Sequence, residues 1–279
     1  MKFSCGITLY YPDENQIRNV ERYSEMFDSV YVIDNTPVTS IFDADKQKRN
    51  VFLLSNSGNI GLSKALNIMC KESMNNNYKF ICLLDQDSHF ELRSIDVIKS
   101  FVESKHDKSI GIFSPRIIYE HDQKNKSNAL FELVPWVITS GSFINLSAFE
   151  KVGGFDDNYF IDRIEYDYCH QLKKNNYVII QINEAILNQS LGCIKHTNKI
   201  KIYQHSPIRN YYQFRNRIYF YIHKSECNFI KVAYKICAGS IVHILKVILL
   251  EDEKKNKIKY IIRAIVDSFK GKYGKYKED

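Results

Sequence analysis

Through the first half of the chain, short runs of consecutive apolar residues alternate with longer stretches whose apolar positions recur every three or four residues. The runs at 3–9, 29–33, 51–54 and 80–84 predict strands, and the periodic stretches at 14–26 and 62–73 predict helices. Strands interleaved with helices imply a mostly parallel sheet covered by helices. Further strands are expected at 112–114 and 137–145, followed by a helix over 163–175 and a strand over 177–182. In an open sheet of this kind the ligand lies beyond the carboxyl ends of the strands. Those ends are polar here: Tyr10-Tyr11-Pro12-Asp13, Asp34-Asn35-Thr36-Pro37, Asn56-Ser57-Gly58-Asn59 and Asp85-Gln86-Asp87-Ser88. Asx, Gly and Pro also end strands simply because they make turns, and Asp13 and Asn56 are read that way.

With 279 residues and 44% hydrophobic content the chain is long and apolar enough to bury a substantial core, which excludes a disordered protein. Its seven cysteines include no CxxC pair, and an odd count in a chain of this length argues for a reducing, cytoplasmic setting. The N-terminus has only a short apolar run that turns polar at Asp13, so it is expected to be a strand and not a signal peptide. Lys231, Lys235 and Lys246 interrupt the best candidate for a spanning helix, near 229–250, which falls short of roughly 18 uninterrupted apolar residues.

Two acidic motifs carry candidate chemistry. The run Ile81-Cys82-Leu83-Leu84 delivers Asp85 and Asp87 into the presumed crevice. If the segment stays extended, alternate side chains share a face and both acids reach one Mg²⁺ or Mn²⁺ ion, a cation that prefers oxygen ligands shared with phosphates. The second motif is Asp162-Arg163-Ile164-Glu165-Tyr166-Asp167, at the start of the expected helix. One carboxylate there could act as general base. Acids in a first helical turn are also favoured by the helix dipole, so spacing alone leaves both readings open.

An ordered series of motifs over residues 3–225 resembles glycosyltransferase family 2, specifically its bacterial rhamnosyltransferase-like branch. The series runs Ile7-Thr8-Leu9-Tyr10-Tyr11-Pro12, Val32-Ile33-Asp34-Asn35, Asn59 through Asn67, Leu84-Asp85-Gln86-Asp87, Gly141-Ser142-Phe143, Gly153-Gly154-Phe155-Asp156, the acidic helix start, and Arg209-Asn210-Tyr211-Tyr212-Gln213-Phe214-Arg215-Asn216. The resemblance implies an α/β GT-A fold with a mostly parallel central sheet, a divalent metal, and inversion at the anomeric carbon by direct displacement. It also implies roles by position: Tyr10, Asp34, Asn59, Lys64, Asp85, Gln86 and Asp87 at the nucleotide-sugar donor, with Asp34 on the base. Asp87 is the expected direct metal ligand, with Asp85 nearer the ribose or the outer shell. The family's Asp and Glu stand exchanged at Glu165 and Asp167; Glu165 is taken as the base, with Asp167 as competitor and Asp162 as a sugar contact. Relatives often place a histidine near Gln189 to complete the metal shell, and His196 and His205 are weaker substitutes.

The positive charge concentrates in residues 195–235, where Lys195, Lys199, Lys201, Arg209, Arg215, Arg217, Lys224, Lys231 and Lys235 face Glu226 as the single acid. Interleaved tyrosines and phenylalanines suit either a membrane-facing surface or a phosphate-recognising acceptor site, with Arg209 and Arg215 as the phosphate contacts. The bland alternative is a solvated helix with tyrosines packed beneath. Beyond it the chain is expected to form amphipathic helices, giving a domain at 1–225 and a helical extension at 226–279. That extension could meet a membrane, pack on the main domain or self-associate. The expectation is an inverting transferase that passes rhamnose from dTDP-rhamnose to a lipid-linked or growing surface polysaccharide at the inner face of the cell membrane. A UDP-sugar galactosyl- or glucosyltransferase is the alternative, and a nucleic-acid-binding module is disfavoured because it leaves both acidic motifs unused.

Overall fold

The computed structural model describes residues 1–105, 107–119, 129–189, 194–197, 200–203 and 205–278. Two compact units make up the chain: Met1–Asp156 with Tyr168–Ser190, and Asp157–Asp167 with Leu191–Asp279.

The first unit contains β1 (Ser4–Leu9), α1 (Glu14–Met26), β2 (Ser29–Asp34), β3 (Val51–Ser55), α2 (Leu62–Asn75), β4 (Phe80–Asp85), β5 (Ser88–Phe90), α3 (Ser94–Ser104), β6 (Ile110–Tyr119), β7 (Phe131–Leu133), β8 (Ser142–Asn145) and α4 (Leu146–Val152). Next comes α5 (Ile164–Lys174), whose first turn belongs to the second unit, and then β9 (Val178–Gln189). Asp13 caps α1 as its turn reading requires: its carboxylate accepts from Gln16 N at 2.8 Å while Gln16 Oε1 accepts from Asp13 N at 2.9 Å.

The strands form one sheet in the order β3-β2-β1-β4-β8-β6-β9-β5, with β7 added beside β9. Strands β1 to β4 are parallel, and β6 is parallel to β9, but β8 opposes both β4 and β6, and β5 and β7 oppose β9. The expected mostly parallel sheet is therefore mixed. Its reversed strands are only three or four residues long, too short to print a period in the sequence. The strand expected over 137–145 shrinks to β8, because the chain turns at Gly141 before it pairs. Gly141 sits at φ +78° with its N–H on Leu83 O at 2.7 Å, and a Cβ there would lie 2.8 Å from Pro115 Cγ. Only glycine fits that turn.

Cys5, Ile7 and Leu9 of β1, Val30 and Val32 of β2, and Cys82 and Leu84 of β4 pack with Val20 and Tyr23 of α1 and Ile95, Ile98 and Val102 of α3. A second contact explains two motifs at once. Asn67 Nδ2 donates to Phe155 O at 2.7 Å and its Oδ1 accepts from Phe155 N at 2.9 Å, so α2 grips the loop after α4 by its backbone. Gly154, at φ +77°, clears that grip: a Cβ would stand 2.8 Å from Asn67 Oδ1.

The second unit holds β10 (Ile194–Thr197), β11 (Ile200–Tyr203), α6 (Pro207–His223), α7 (Phe229–Leu250) and α8 (Lys254–Phe269). Ser206 caps α6, its Oγ accepting from Arg209 N, with Pro207 in the first turn. Tyr211, Tyr212, Phe214 and Ile218 of α6 form a core with Phe160, Val247 of α7, and Ile261 and Ala264 of α8. This corrects the reading of 195–235 as an aromatic surface: on α6 the rings are the core of the unit. Lys199 lies outside the described residues.

Helix α7 departs from expectation. It is a single 22-residue helix whose best window has a mean hydropathy of 1.7, long and apolar enough to cross a membrane by length and composition, although only 6% of that window is buried. Its exposed side carries Ile230, Tyr234, Ile241, Leu245 and Ile248 at steps of three, four or seven residues, one continuous stripe.

Candidate active site

The chain does not stay extended from Asp85 to Asp87. Strand β4 ends at Asp85, Gln86 and Asp87 form a tight turn, and β5 begins at Ser88. The argument that both acids share a strand face is thus replaced by a buttressed turn. Ser140 Oγ accepts from Asp85 N at 3.0 Å and pairs with Ser88 Oγ at 2.6 Å. From α1, Asn19 Nδ2 donates to Gln86 O at 3.2 Å and Ser88 O at 3.0 Å, and Tyr23 Oη donates to Ser88 O at 2.8 Å. Gln86 latches onto the end of β1, its Oε1 accepting from Tyr10 N at 2.7 Å and its Nε2 donating to Tyr10 O at 3.1 Å. Such bonds fix the turn's backbone, and loss of solvent is the main cause that raises the half-buried Asp87 carboxyl above its usual range, against smaller opposing effects of its own N–H and of His89.

Pairing of β5 with β9 sets Ser88 opposite Gln189. Gln189 Nε2 donates to Asp85 Oδ2 at 3.2 Å, and its Oε1 is buried with no partner among the described residues. Ser190 to Gly192 of that motif lie outside the described residues, as does the side chain of His196. In the second unit His205 is held toward the neutral form, mainly by burial and then by Arg209.

Two strands away from β4, across β1, β2 delivers Asp34, which is 1% exposed. Its Oδ1 accepts from Thr36 N at 2.9 Å, while Oδ2 is buried and has no partner among the described residues. Buried acceptors are rarely left unpaired, and one at a strand's carboxyl end marks a place where a ligand donor would bind. Asn35 Oδ1 accepts from Ile60 N at 3.1 Å, and Asn59 Oδ1 from Gly61 N at 2.9 Å, which folds the loop ahead of α2. Lys64 is exposed on the first turn of α2, and Tyr10 is 47% exposed.

The donor set suits a hard divalent cation. Asp85, Asp87 and the unpartnered Gln189 oxygen are all oxygen donors, the chemistry Mg²⁺ or Mn²⁺ selects. Among the described residues no group of three or more His, Cys, Asp or Glu could hold a metal by itself. An ion there would take its remaining ligands from phosphate and water.

The second acidic motif opens α5 after a strained loop. Phe160, Asp162 and Arg163 all adopt positive φ, at 63°, 63° and 67°. Ile161 N donates to Tyr159 O at 2.8 Å across Phe160, the rare γ-turn with a positive central φ. Each such residue costs roughly 1–2 kcal/mol for an L side chain, so the loop needs outside support. Asn216 supplies it, its Nδ2 donating to Tyr159 O at 3.0 Å, Ile161 O at 2.7 Å and Asp162 O at 2.9 Å. Arg215 Nη2 donates to Asn158 O at 3.0 Å and Tyr159 O at 3.1 Å, and Phe160 stacks on Tyr212. At the helix start Glu165 is half-buried and Asp167 is 3% exposed, an environment in which Glu165 is the more accessible acid.

The two arginines singled out as phosphate contacts differ sharply. Arg209 is on the surface and pairs with Asp162 at 3.1 Å. Arg215 is fully enclosed, and besides the loop carbonyls it donates to Gly274 O at 2.6 Å and to Asn216 Oδ1. A phosphate cannot reach it, so its assignment is corrected to a structural one. Its place on the inner face of α6, three and four residues from Tyr212 and Tyr211, carried that signal in the sequence.

Over 267 aligned residues the chain is 26% identical to the dTDP-rhamnosyl transferase RfbF of Shigella flexneri, covering 87% of this chain and 85% of that protein. Its fold matches S. aureus TarS 1-349 in complex with UDP-GlcNAc, with a TM-score of 0.58 at 13% identity over 97% of this chain and 81% of that one. It also matches GalNAc-T7 with UDP, GalNAc and Mn²⁺, with a TM-score of 0.61 at 11% identity over 95% of this chain and 54% of that one. The chain is a glycosyltransferase with the GT-A fold. No family model matches it.

In this glycosyltransferase the supports of the acid turn escaped sequence reasoning. Asn19 and Tyr23 are four residues apart on α1 and Ser140 comes from a distant loop, so only the fold brings them to Ser88. Nothing in their local spacing distinguishes them from ordinary helix or loop residues.

Proposed function

We propose that the enzyme transfers a sugar, with inversion, from a pyrimidine nucleotide diphosphate donor to a hydroxyl of a lipid-linked or growing surface saccharide. The observation that carries the proposal is the braced turn at Asp85-Gln86-Asp87, which offers carboxylates at the carboxyl end of β4. Asp34 supports the choice of base. Its Oδ2, unpartnered among the described residues, would accept the imide N–H that thymine and uracil share and cytosine lacks, so it suits dTDP and UDP alike. The likeness to RfbF makes dTDP-rhamnose the first donor to test. UDP-hexoses are the second arm, as the UDP ligands of TarS and GalNAc-T7 suggest.

Asp87 and Asp85 would hold Mg²⁺ or Mn²⁺, which when bound supplies positive charge to the departing diphosphate. Glu165, with Asp167 as the alternative, would take the acceptor proton as the acceptor oxygen bonds to the anomeric carbon and the bond to the phosphate oxygen breaks. Asn59 and Lys64 would line the donor, and Arg209 and Asp162 the acceptor side. For a lipid-linked acceptor the enzyme would work at the inner membrane face. The exposed apolar stripe of α7, edged by Lys231 and Lys235, suits a helix lying in the plane of an anionic interface.

The test is a thermal-shift screen of the full chain against dTDP-rhamnose, UDP-glucose, UDP-galactose and their nucleotide diphosphates, each with Mn²⁺ and with EDTA. A ligand that binds only the folded state raises its apparent stability. Stabilisation by one nucleotide only with metal supports the reading and names the donor class; no stabilisation by any nucleotide rejects it.

A further inference from the structure

We propose that Asn216 is a positioning residue for sugar transfer: from α6 it clamps the strained loop before α5 and so aims the acid-bearing first turn of that helix. The inference rests on the reading that Glu165 or Asp167 takes the acceptor proton.

Its basis is a saturated, buried contact. Asn216 is 0% exposed, and its single amide nitrogen serves three loop carbonyls within four residues, on Tyr159, Ile161 and Asp162. Its oxygen is held in turn by Arg215 Nε at 3.1 Å and Nη2 at 2.8 Å. With both ends of the amide fixed, neither a flipped amide nor another rotamer keeps the bonds. The residues it grips include Asp162, and the positive-φ positions Phe160, Asp162 and Arg163 end where α5 begins. Such conformations persist only where their surroundings over-determine them, and they cluster where geometry must be exact. A loop that merely linked two helices would relax to an unstrained path. Here three unfavourable conformations are kept within the four residues ahead of Ile164, and Glu165 follows directly.

The clamp also accounts for the spacing of Arg215-Asn216 within the α6 motif. Arg215 bonds the upstream carbonyls of Asn158 and Tyr159, and Asn216 the downstream ones, so adjacent residues grip consecutive parts of one loop. Replacing Asn216 by Asp keeps the shape and the oxygen that Arg215 holds, and turns the donor to the loop into an oxygen that its carbonyls repel; Asn216→Ala removes the donor without that repulsion.

The experiment compares Asn216→Asp, and Asn216→Ala as a second variant, with wild type in the full-length enzyme. Hydrogen exchange should accelerate over residues 158–163 while β1 and β4 stay protected. Metal-dependent stabilisation by the donor nucleotide and the donor KM should stay within about twofold, and kcat should fall by about 10²-fold, the cost of a misplacement near 1 Å. A double-mutant cycle supplies the readout that a merely structural role would not move. On a Glu165→Gln or Asp167→Asn background, whichever lowers turnover, Asn216→Asp should cost less than about threefold more. A full multiplicative loss in that cycle, or donor stabilisation and kcat falling together, would overturn the proposal. Unchanged exchange over 158–163 would overturn the clamp whatever the acids do. Undiminished turnover in both acid variants would instead reject the base reading.

Discussion

Replacing Arg215 with methionine separates a buried structural arginine from a phosphate-binding one. Methionine keeps most of the aliphatic volume and removes the guanidinium. In the wild type that group makes five hydrogen bonds, to Gly274 O, Asn158 O, Tyr159 O and twice to Asn216 Oδ1, and it lies 5.4 and 5.1 Å from the ring centres of Tyr211 and Tyr212. Three buried carbonyls lose a charged donor, each loss costing about 1–3 kcal/mol. Burying the guanidinium itself carries a desolvation penalty that the variant escapes, which offsets part of the sum. The net expectation is a loss of about 3–5 kcal/mol. At about 2–4 °C per kcal/mol for a chain of this size, the melting temperature should fall by about 6–20 °C. Circular dichroism melts and urea titrations measure this directly, and Arg215→Lys should recover part of the loss. A melting temperature within about 2 °C of wild type, together with weakened binding of a diphosphate-bearing acceptor, would refute the structural assignment.

Asp87→Asn should raise the melting temperature of the ligand-free enzyme, because burial opposes the charged carboxylate, while it abolishes metal-dependent stabilisation by the donor; retained metal dependence would remove Asp87 from the metal site. His243 predicts an acid limb of stability. Burial, then Arg217, lowers its pKa to about 4, with Nε2 bonded to Asn210 Oδ1 and Nδ1 facing Arg217 Nη2. Lys246 and His205 further disfavour its charged form and Glu251 opposes them. The unfolded chain therefore binds a proton near 6.5 that the folded chain refuses until about 4. Its contribution is complete above about 6.5 and is lost as pH falls toward 4, at most about 3 kcal/mol and nearer 1–2 for a partly accessible ring. His243→Gln should flatten that limb in urea titrations between pH 7 and 4. For α7, flotation with anionic vesicles should show binding that Lys231→Glu with Lys235→Glu weakens by at least about thirtyfold, since each charge lost near the surface contributes about 1 kcal/mol and the new acids are repelled; binding that ignores these charges would favour self-association on the same stripe.

Much of the first unit was legible because its signals are local. The range of α1, residues 14–26, is the one its period predicts, and β1 to β4 fall within a residue or two of their apolar runs. Asp85 and Asp87 stood out because a buried strand ends in charge. What escaped was made by contacts between distant segments: the Ser140 brace, the Gln189 contact to Asp85 across 104 positions, and the reversal of β8. The basic aromatic segment misled because composition does not say which face of a helix is buried. Arg215 and Arg209 differ by six positions on one helix, yet one is enclosed and the other is half exposed.

The pairing of β5 with β9 has a consequence for how the enzyme is made. Gln189 closes β9, the last strand of the central sheet, and it meets acids that emerge from the ribosome about a hundred residues earlier. Until that strand docks, the contact between Gln189 and Asp85 cannot form, since distant strand pairings form only after the entropy of a long closure has been met. On the proposed donor assignment, nucleotide affinity arrives with the completion of the sheet and not gradually during synthesis. On that assignment a donor that binds only the finished sheet would raise the stability of completed molecules and not of incomplete ones.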